Sequence, residues 1–123
     1  MARIINLNSH PIRVQRPDTS TFEYPPDGRV FRLATSDEVV DTVNGNQIVK
    51  RVYYEPEEDI IPKYEPNTYY IVPSQITQIF DRRDFISPDT KGANGAKRDA
   101  RGQVLSVTRF RMRDELQTYR PDF

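Results

Sequence analysis

The sequence contains no cysteine and a single histidine, His10. Without thiols the chain cannot form disulfides or thiolate metal sites, which fits a reducing compartment. The acidic residues at 55–59 lack the spacing of an EF-hand, and an acidic run of this kind is usually a solvated loop. We therefore predict no metal and no cofactor. His10 follows Ser9 directly, and side chains on neighbouring residues point apart, so we predict no catalytic residue either.

Long apolar runs are also missing. The first residues lack the apolar stretch of a signal peptide, and no run has the length of a membrane span. We expect a location in the cytoplasm of the cell that makes the protein, without membrane contact. Apolar residues make up 36% of 123 residues, against a usual ~45–50%. The chain has the length of one domain. Two alternatives stay open: apolar surface buried against a partner or a second copy, or a monomer with a small core.

The charges cancel overall, which argues against a general affinity for nucleic acid. Their distribution is uneven. Residues 55–65 carry five acidic side chains against Lys63, whereas residues 82–113 carry nine basic side chains against three aspartates. This asymmetry indicates an anion site at one end of the chain, or two surfaces that pair in a homo-oligomer.

Short β-branched and aromatic runs, separated by Pro, Gly and Asn turns, predict a mainly β protein. We expect a small antiparallel β-sandwich or partly open barrel of roughly seven to nine strands with one short helix. The domain would span residues 1–110, and residues 111–123 would form a charged C-terminal tail. Strands are predicted within the following ranges: 3–7, 12–14, 22–24, 30–33, 38–43, 47–54, 68–72 and 103–110.

The strongest local signal is Asn44-Gly45 between two β-rich runs, because this pair suits the type I′ turn of a β-hairpin. The continuous apolar run at 68–72 predicts a buried central strand. Ile76, Ile79 and Phe80 share the spacing of one helix face, which predicts a helix over 74–81 with Ser74 as its N-cap. Residues 55–67 and 87–102 are expected to be loops.

Arginines are the best candidates for chemistry. Arg109, Arg111 and Arg113 alternate, so on a strand they would present guanidinium groups on one face. Such groups bind phosphate or carboxylate, and the glycine-containing loop before them could add backbone N–H groups. Aromatic rings for stacking a base are available at Tyr53, Tyr54, Tyr69, Tyr70 and Phe85. The alternative is structural: neighbouring Arg-Asp pairs often close turns, and alternating arginines often form a solvated face.

Short motifs along residues 4–110 resemble a widespread, uncharacterised family of small phage or prophage and actinobacterial proteins. In that family they read NLTPH-I, PPSG…AR, YIVS, R-D…SPDT and RD-GRI-GV. Here they stand as Asn6-Leu7-Asn8-Ser9-His10-Pro11-Ile12, Pro25-Pro26-Asp27-Gly28 with Arg32, Tyr69-Tyr70-Ile71-Val72, Arg83-Asp84-Phe85-Ile86-Ser87-Pro88-Asp89-Thr90, and Arg98-Asp99-Ala100-Arg101-Gly102-Gln103-Val104. The chain departs from the pattern at Asn8-Ser9, at Asp27 and at Pro73-Ser74, and its tail is longer.

The resemblance implies a phage or prophage setting rather than a mechanism. Within it we expect a non-enzymatic protein that binds a small anionic, nucleotide-like ligand, in one version a host defence signal that it sequesters. The ligand-binding residues would be Asn6, Arg32, Tyr70, Arg83, Asp84 and Arg98. One alternative is a head or tail component of the virion that contacts other virion proteins. A second alternative is a nucleotide hydrolase.

Overall fold

The structure is a computed structural model that describes residues 2–56, 60–91 and 95–117. Within these residues the protein is mainly β with one short helix, as the sequence predicts, and has three small sheets and no closed barrel. The elements are β1 (Arg3–Asn6), β2 (Ile12–Gln15), β3 (Thr21–Tyr24), β4 (Thr35–Val43), β5 (Asn46–Tyr53), β6 (Thr68–Ile71), α1 (Ser74–Ile79), β7 (Phe85–Pro88), β8 (Ala96–Arg98), β9 (Val104–Val107) and β10 (Phe110–Arg111).

The chain divides into two compact units. The first comprises Met1–Val30 and Tyr64–Phe123, and the second comprises Phe31–Lys63. The division into a domain at 1–110 and a tail at 111–123 stays a prediction, although β10 crosses that boundary and residues 118–123 lie outside the described part. No helix in the described ranges has the length and apolar character needed to cross a membrane.

One sheet of the first unit has the order β1-β6-β7-β10. β1, β6 and β7 run parallel, and β10 is antiparallel to β7. The apolar run at 68–72 does form the central strand: in β6 only Tyr69 is exposed, and Ile71 is fully buried. Helix α1 connects β6 to β7, because parallel neighbours need a crossover rather than a tight turn.

The other sheet of the first unit has the order β3-β2-β9-β8 and mixes antiparallel pairs with one parallel pair, β2 with β9. Both sheets contribute to one hydrophobic cluster. Its members are Ile12, Ala96 and Val107 from this sheet and Ile71 and Ile86 from the parallel one. The expected sandwich core is therefore present, whereas the expected antiparallel pairing holds only for some of the strand pairs.

The second unit contains the predicted hairpin. β4 and β5 pair antiparallel on either side of Asn44 and Gly45, whose φ angles of 52° and 83° are the positive values that the turn requires. A β-bulge lies between Val39 and Asp41 in β4. The hairpin prediction is confirmed.

Several strand predictions were wrong in detail. Residues 30–33 are not a strand, because the ladder of the second unit begins only at Thr35, which pairs with Tyr53. The range 87–102 is not one loop, since β8 lies within it and pairs with β9. The predicted strand at 103–110 is broken, because β9 and β10 join different sheets. Strand β7 was not predicted at all.

Helix α1 differs from its prediction at both ends. Pro73 rather than Ser74 occupies the N-cap, and no side chain caps the first turn. The helix ends at Ile79, and its buried residues are Ile76 and Thr77. Ile79 is 40% exposed. A helix of six residues is too short for the spacing of apolar residues to fix which side faces the core.

Candidate functional site

The starts of three parallel strands meet at one edge of the first sheet. Since β1, β6 and β7 run in the same direction, the residues just before them lie side by side. A groove of about 280 Å³ opens at this edge. We call it the strand-start groove; it is lined by Ala2, Tyr64, Asn67, Thr68, Tyr69, Arg83 and Asp84. Two of its lining residues, Thr68 and Tyr69, belong to β6, and two others, Arg83 and Asp84, belong to the arginine-rich region at 82–113.

Two consecutive arginines at this edge have different environments. Arg82 is held in place: its Nε donates to Asp84 Oδ1 at 2.9 Å, and its Nη2 donates to Oδ2 of the same carboxylate. Its guanidinium also stacks over the Phe85 ring, 4.2 Å from the centroid. Asp84 is buried, so this bidentate pair neutralises a carboxylate that would otherwise be costly to bury.

Arg83 is exposed and makes no hydrogen bond or ion pair with any residue that the structure describes. It lines the strand-start groove and also a second cavity of about 460 Å³. That second cavity is formed by Asp81, Arg82, Arg83, Met112, Arg113, Asp114, Glu115 and Leu116. Because Arg82 already compensates Asp84, the charge of Arg83 is available for an anion in the groove.

The groove presents aromatic surface next to this charge. Tyr64 is 70% exposed and Tyr69 is 37% exposed, and both line the groove. Tyr70 is instead buried and packs edge-on against Phe85 at 6.3 Å between ring centroids. Burial, followed by the negative charges of Glu65 and Asp84, raises the pKa of the Tyr70 phenol. Adjacent residues of a strand face opposite sides, so Tyr69 rather than Tyr70 offers a ring to a ligand.

Asn6 lies at the opposite end of β1 and is fully engaged within the fold. Its Nδ2 donates to the carbonyl oxygens of His10 and Tyr24 at 2.9 and 3.0 Å, and its Oδ1 accepts from the Asn8 backbone N–H at 2.9 Å. With only 2% exposure, it fixes the turn at residues 7–11. Its position and its bonds are those of a structural residue.

The two remaining predicted residues belong to other parts of the fold. Arg98 is on β8, in the other sheet, and its Nη1 and Nη2 donate to the carbonyl oxygens of Gly102 and Thr90 at 2.7 and 2.6 Å. It therefore closes its own loop. Arg32 is exposed and belongs to the second compact unit. Of the six predicted residues, the structure brings Arg83 and Asp84 together at the groove, with Tyr70 behind them in the core.

The alternating arginines after β9 are occupied by the protein's own aspartates. Arg109 Nε and Arg111 Nε both bind the carboxylate of Asp89, the latter at 3.0 Å, and the Asp89 side chain has no exposed surface. Arg113 pairs with Asp81 at 3.2 Å. Hydrogen bonds from Arg111 and Arg109, and then from the Lys91 backbone N–H, hold the pKa of Asp89 well below its ordinary range. Of the three arginines only Arg111 lies on a strand, so the predicted row on one strand face does not form. All three guanidinium groups bind the protein's own aspartates instead.

Glycine is required beside that buried carboxylate. A Cβ added at Gly95 would lie 2.8 Å from Asp89 Cγ and 2.8 Å from its backbone oxygen. No side chain fits there without displacing Asp89 from its arginines. That the backbone N–H groups of this loop contact a ligand anion stays a prediction, and Gly92, the other glycine of the loop, lies outside the described residues.

Groups of three or more His, Cys, Asp or Glu side chains that could hold a metal ion do not occur among the described residues. The acidic residues at 57–59 lie outside them. Of the groove residues, Ala2, Tyr64 and Asn67 were not singled out from the sequence. Asn67 carries a signal that could have been used, since its φ of 56° marks a turn directly before β6.

Comparisons of the chain with protein-family models, with curated proteins and with solved structures found no match.

Proposed function

We propose that the protein is a non-enzymatic binding protein for a small anionic, nucleotide-like ligand, which binds in the strand-start groove. One observation carries the proposal: Arg83, which makes no hydrogen bond or ion pair among the described residues, lines a groove that also exposes the rings of Tyr64 and Tyr69. A guanidinium binds a phosphate in a bidentate manner, and an aromatic ring stacks on a base. The groove volume is near the lower end of small-molecule sites, about 300–1,000 Å³, which suits a small ligand.

The arrangement supports binding rather than turnover. Among the described residues that line the groove, the carboxylate is that of Asp84, which is buried and already bound by two nitrogens of Arg82, so it is poorly placed to contact a ligand. The motif resemblance implies the phage or prophage setting, and sequestering a host defence signal is a role that we propose within that setting. The proposal combines that setting with the position of Arg83 at the strand-start groove.

Thermal denaturation against a panel of nucleotides tests the proposal. The panel includes cyclic and ADP-ribose-type compounds, and we expect at least one of them to raise the Tm. Arg83→Ala should weaken binding of that compound by about 10- to 100-fold, because a hydrogen bond to a charged group contributes about 1.5–3 kcal/mol. Isothermal titration calorimetry measures the change in Kd.

Arg101→Ala is the matched control. Arg101 is also an exposed arginine whose side chain has no partner among the described residues, and it lines neither of the two cavities. Its loss should leave the Kd unchanged. No Tm shift with any compound of the panel would contradict the proposal, as would equal losses in the two variants. Recovery of the bound compound unchanged after long incubation separates a binding protein from the hydrolase alternative.

A second candidate function is a virion component, favoured by a different observation: the β4–β5 hairpin exposes an unusual amount of apolar surface. Such surface is typical of contacts with other proteins. Mass spectrometry of purified particles decides this candidate, since a head or tail component must be found in them. The same measurement distinguishes a location in the host cell from one in the virion.

A further inference from the structure

The β4–β5 hairpin has almost no buried surface of its own. Every residue of β4 is exposed, and so are the first six residues of β5. A two-stranded hairpin is marginal in water unless further strands or a packed face support it. Five branched aliphatic side chains nonetheless stand 46–51% exposed along it: Val39, Val40, Val43, Ile48 and Val49.

These aliphatic residues do not form the single face of an ordinary half-buried sheet. In the observed register Val39 is paired with Val49, whereas Ile48 is paired with Asp41 and lies on the opposite face. A strand added at either edge of the hairpin flanks side chains on both faces at once, whereas a layer packed on one face contacts that face alone. Cross-strand pairs of branched residues on such strands stabilise a sheet.

The two outer edges of the hairpin differ in charge. β4 carries Asp37, Glu38 and Asp41 and no basic residue, whereas β5 carries Lys50 and Arg51 and no acidic residue. Asp37 is in register with Arg51, and Glu38 is in register with Lys50. Even so, none of these four side chains forms a hydrogen bond or an ion pair within the described residues. Their charges remain available to another chain.

We propose that the hairpin binds a second copy of the protein head to tail, with the acidic β4 edge of one copy beside the basic β5 edge of the next. Pairing of β4 with β4 would place carboxylates against carboxylates, and pairing of β5 with β5 would bring Lys50 and Arg51 of two copies together. The unlike pairing is attractive, and it supplies partners for the unpaired backbone groups that each edge strand presents. The interface follows from the hairpin alone and does not depend on the strand-start groove.

The bulge between Val39 and Asp41 adds to this selectivity. A bulge distorts an edge strand and discourages indiscriminate pairing. Because the contact uses two different edges, each copy keeps one edge for a further neighbour. The contact therefore repeats from copy to copy rather than stopping at a symmetric dimer.

Charge reversal of one edge at a time tests the proposal. We expect sedimentation velocity of the unaltered chain to show multiples of 14.4 kDa that grow with protein concentration. The double variant D37K/E38K makes both edges basic, and K50E/R51E makes both edges acidic. Each alone should sediment at the mass of one chain. An equal mixture of the two should assemble again, in alternation, because every edge then meets one of opposite charge.

The mixture tests the contact between chains separately from the stability of each hairpin. If a charge reversal had only weakened the hairpin of each variant, mixing the two variants would not restore assembly. Circular dichroism verifies that both variants are folded, and R101E is the control for a charge reversal outside the hairpin. Assembly of the unaltered chain should also weaken as salt is added. Three results would each overturn the proposal: an unaltered chain that stays at one-chain mass at every concentration, variants that assemble as it does, or a mixture that fails to recover. Association with a virion protein alone would replace the second copy as the partner.

Discussion

Strand β6 and the β4–β5 hairpin are composed of the same kinds of residue but have opposite surroundings. Both are rich in β-branched and aromatic residues, yet three of the four residues in β6 are buried whereas all nine in β4 are exposed. Among the strands that the structure describes, β6 has a neighbour on each side, whereas β4 and β5 have one neighbour each. In these two regions, similar residue types give strands with very different burial, and the strand with two neighbours is the buried one.

Truncation of a buried aromatic side chain should show the largest difference in the free energy of unfolding between the two regions. Phe85, which opens β7 next to β6, is fully buried, and its ring lies against those of Tyr70 and Phe80. Phe85→Ala is expected to lower the free energy of unfolding by about 3–5 kcal/mol. Val49→Ala, on the half-exposed hairpin, should change it by no more than about 0.5 kcal/mol. Urea denaturation of dilute protein measures both, and similar losses would show that the hairpin is buried after all.

Asp89 should give the next largest effect, and one that depends on pH. Its hydrogen bonds from Arg111 and Arg109 place its pKa in the folded protein below the ordinary 3.8. A depressed pKa stabilises the fold above the unfolded value, and this contribution is lost as the pH falls below ~4 toward the folded value. Asp89→Asn should thus lower the Tm at neutral pH, and the difference from the unaltered chain should shrink in acid.

The control for this experiment is Asp81→Asn. Asp81 also pairs with an arginine, Arg113, but its side chain is 93% exposed, and exposed ion pairs contribute little. Its loss should leave the Tm nearly unchanged at every pH. A pH-independent effect of Asp89→Asn would argue against the carboxylate charge as the cause.

Apart from the control variants, the turn of the hairpin should give the smallest effect. Gly45 has a φ of +83°, and an added Cβ would meet no atom within 4 Å. Gly45→Ala should therefore cost only the backbone strain of a left-handed residue, about 1–2 kcal/mol. Gly45→Asn should cost less, since asparagine tolerates this conformation. Thermal denaturation orders the variants, and an equal loss for both would mean that the turn does not need the positive φ.

Local signals in the sequence predict local structure well. The hairpin follows from Asn44-Gly45 because two adjacent residues determine the turn. Strand β7 does not follow, since its residues form a strand only beside β6, and no nearby residue indicates that pairing. The same holds for β8, which pairs with β9 across an intervening loop. Pairing between distant segments depends on the whole fold rather than on the segment itself.

The candidate site shows a similar limit. Spacing predicts that Arg109 and Arg111 share a face, but not that Asp89, some twenty residues earlier, lies between them. Alternation predicts that Tyr69 and Tyr70 face opposite sides, but not which of them is buried. Arg83 was predicted as a ligand-binding residue, yet the sequence cannot distinguish it from Arg82. The difference comes from Asp84, whose buried carboxylate engages only one of the two.

The pairing of β1 with β6 has a consequence for how the chain folds. Arg3 is in register with Thr68, so the first strand must wait for a segment more than sixty residues later before it can form its ladder. Closing so long a loop is slow, whereas a β-hairpin forms in about 1–10 μs. During synthesis the N-terminal strand therefore leaves the ribosome with its backbone unpaired. The β4–β5 hairpin, which is almost entirely exposed in the finished protein, can form early because its two strands are adjacent in the chain.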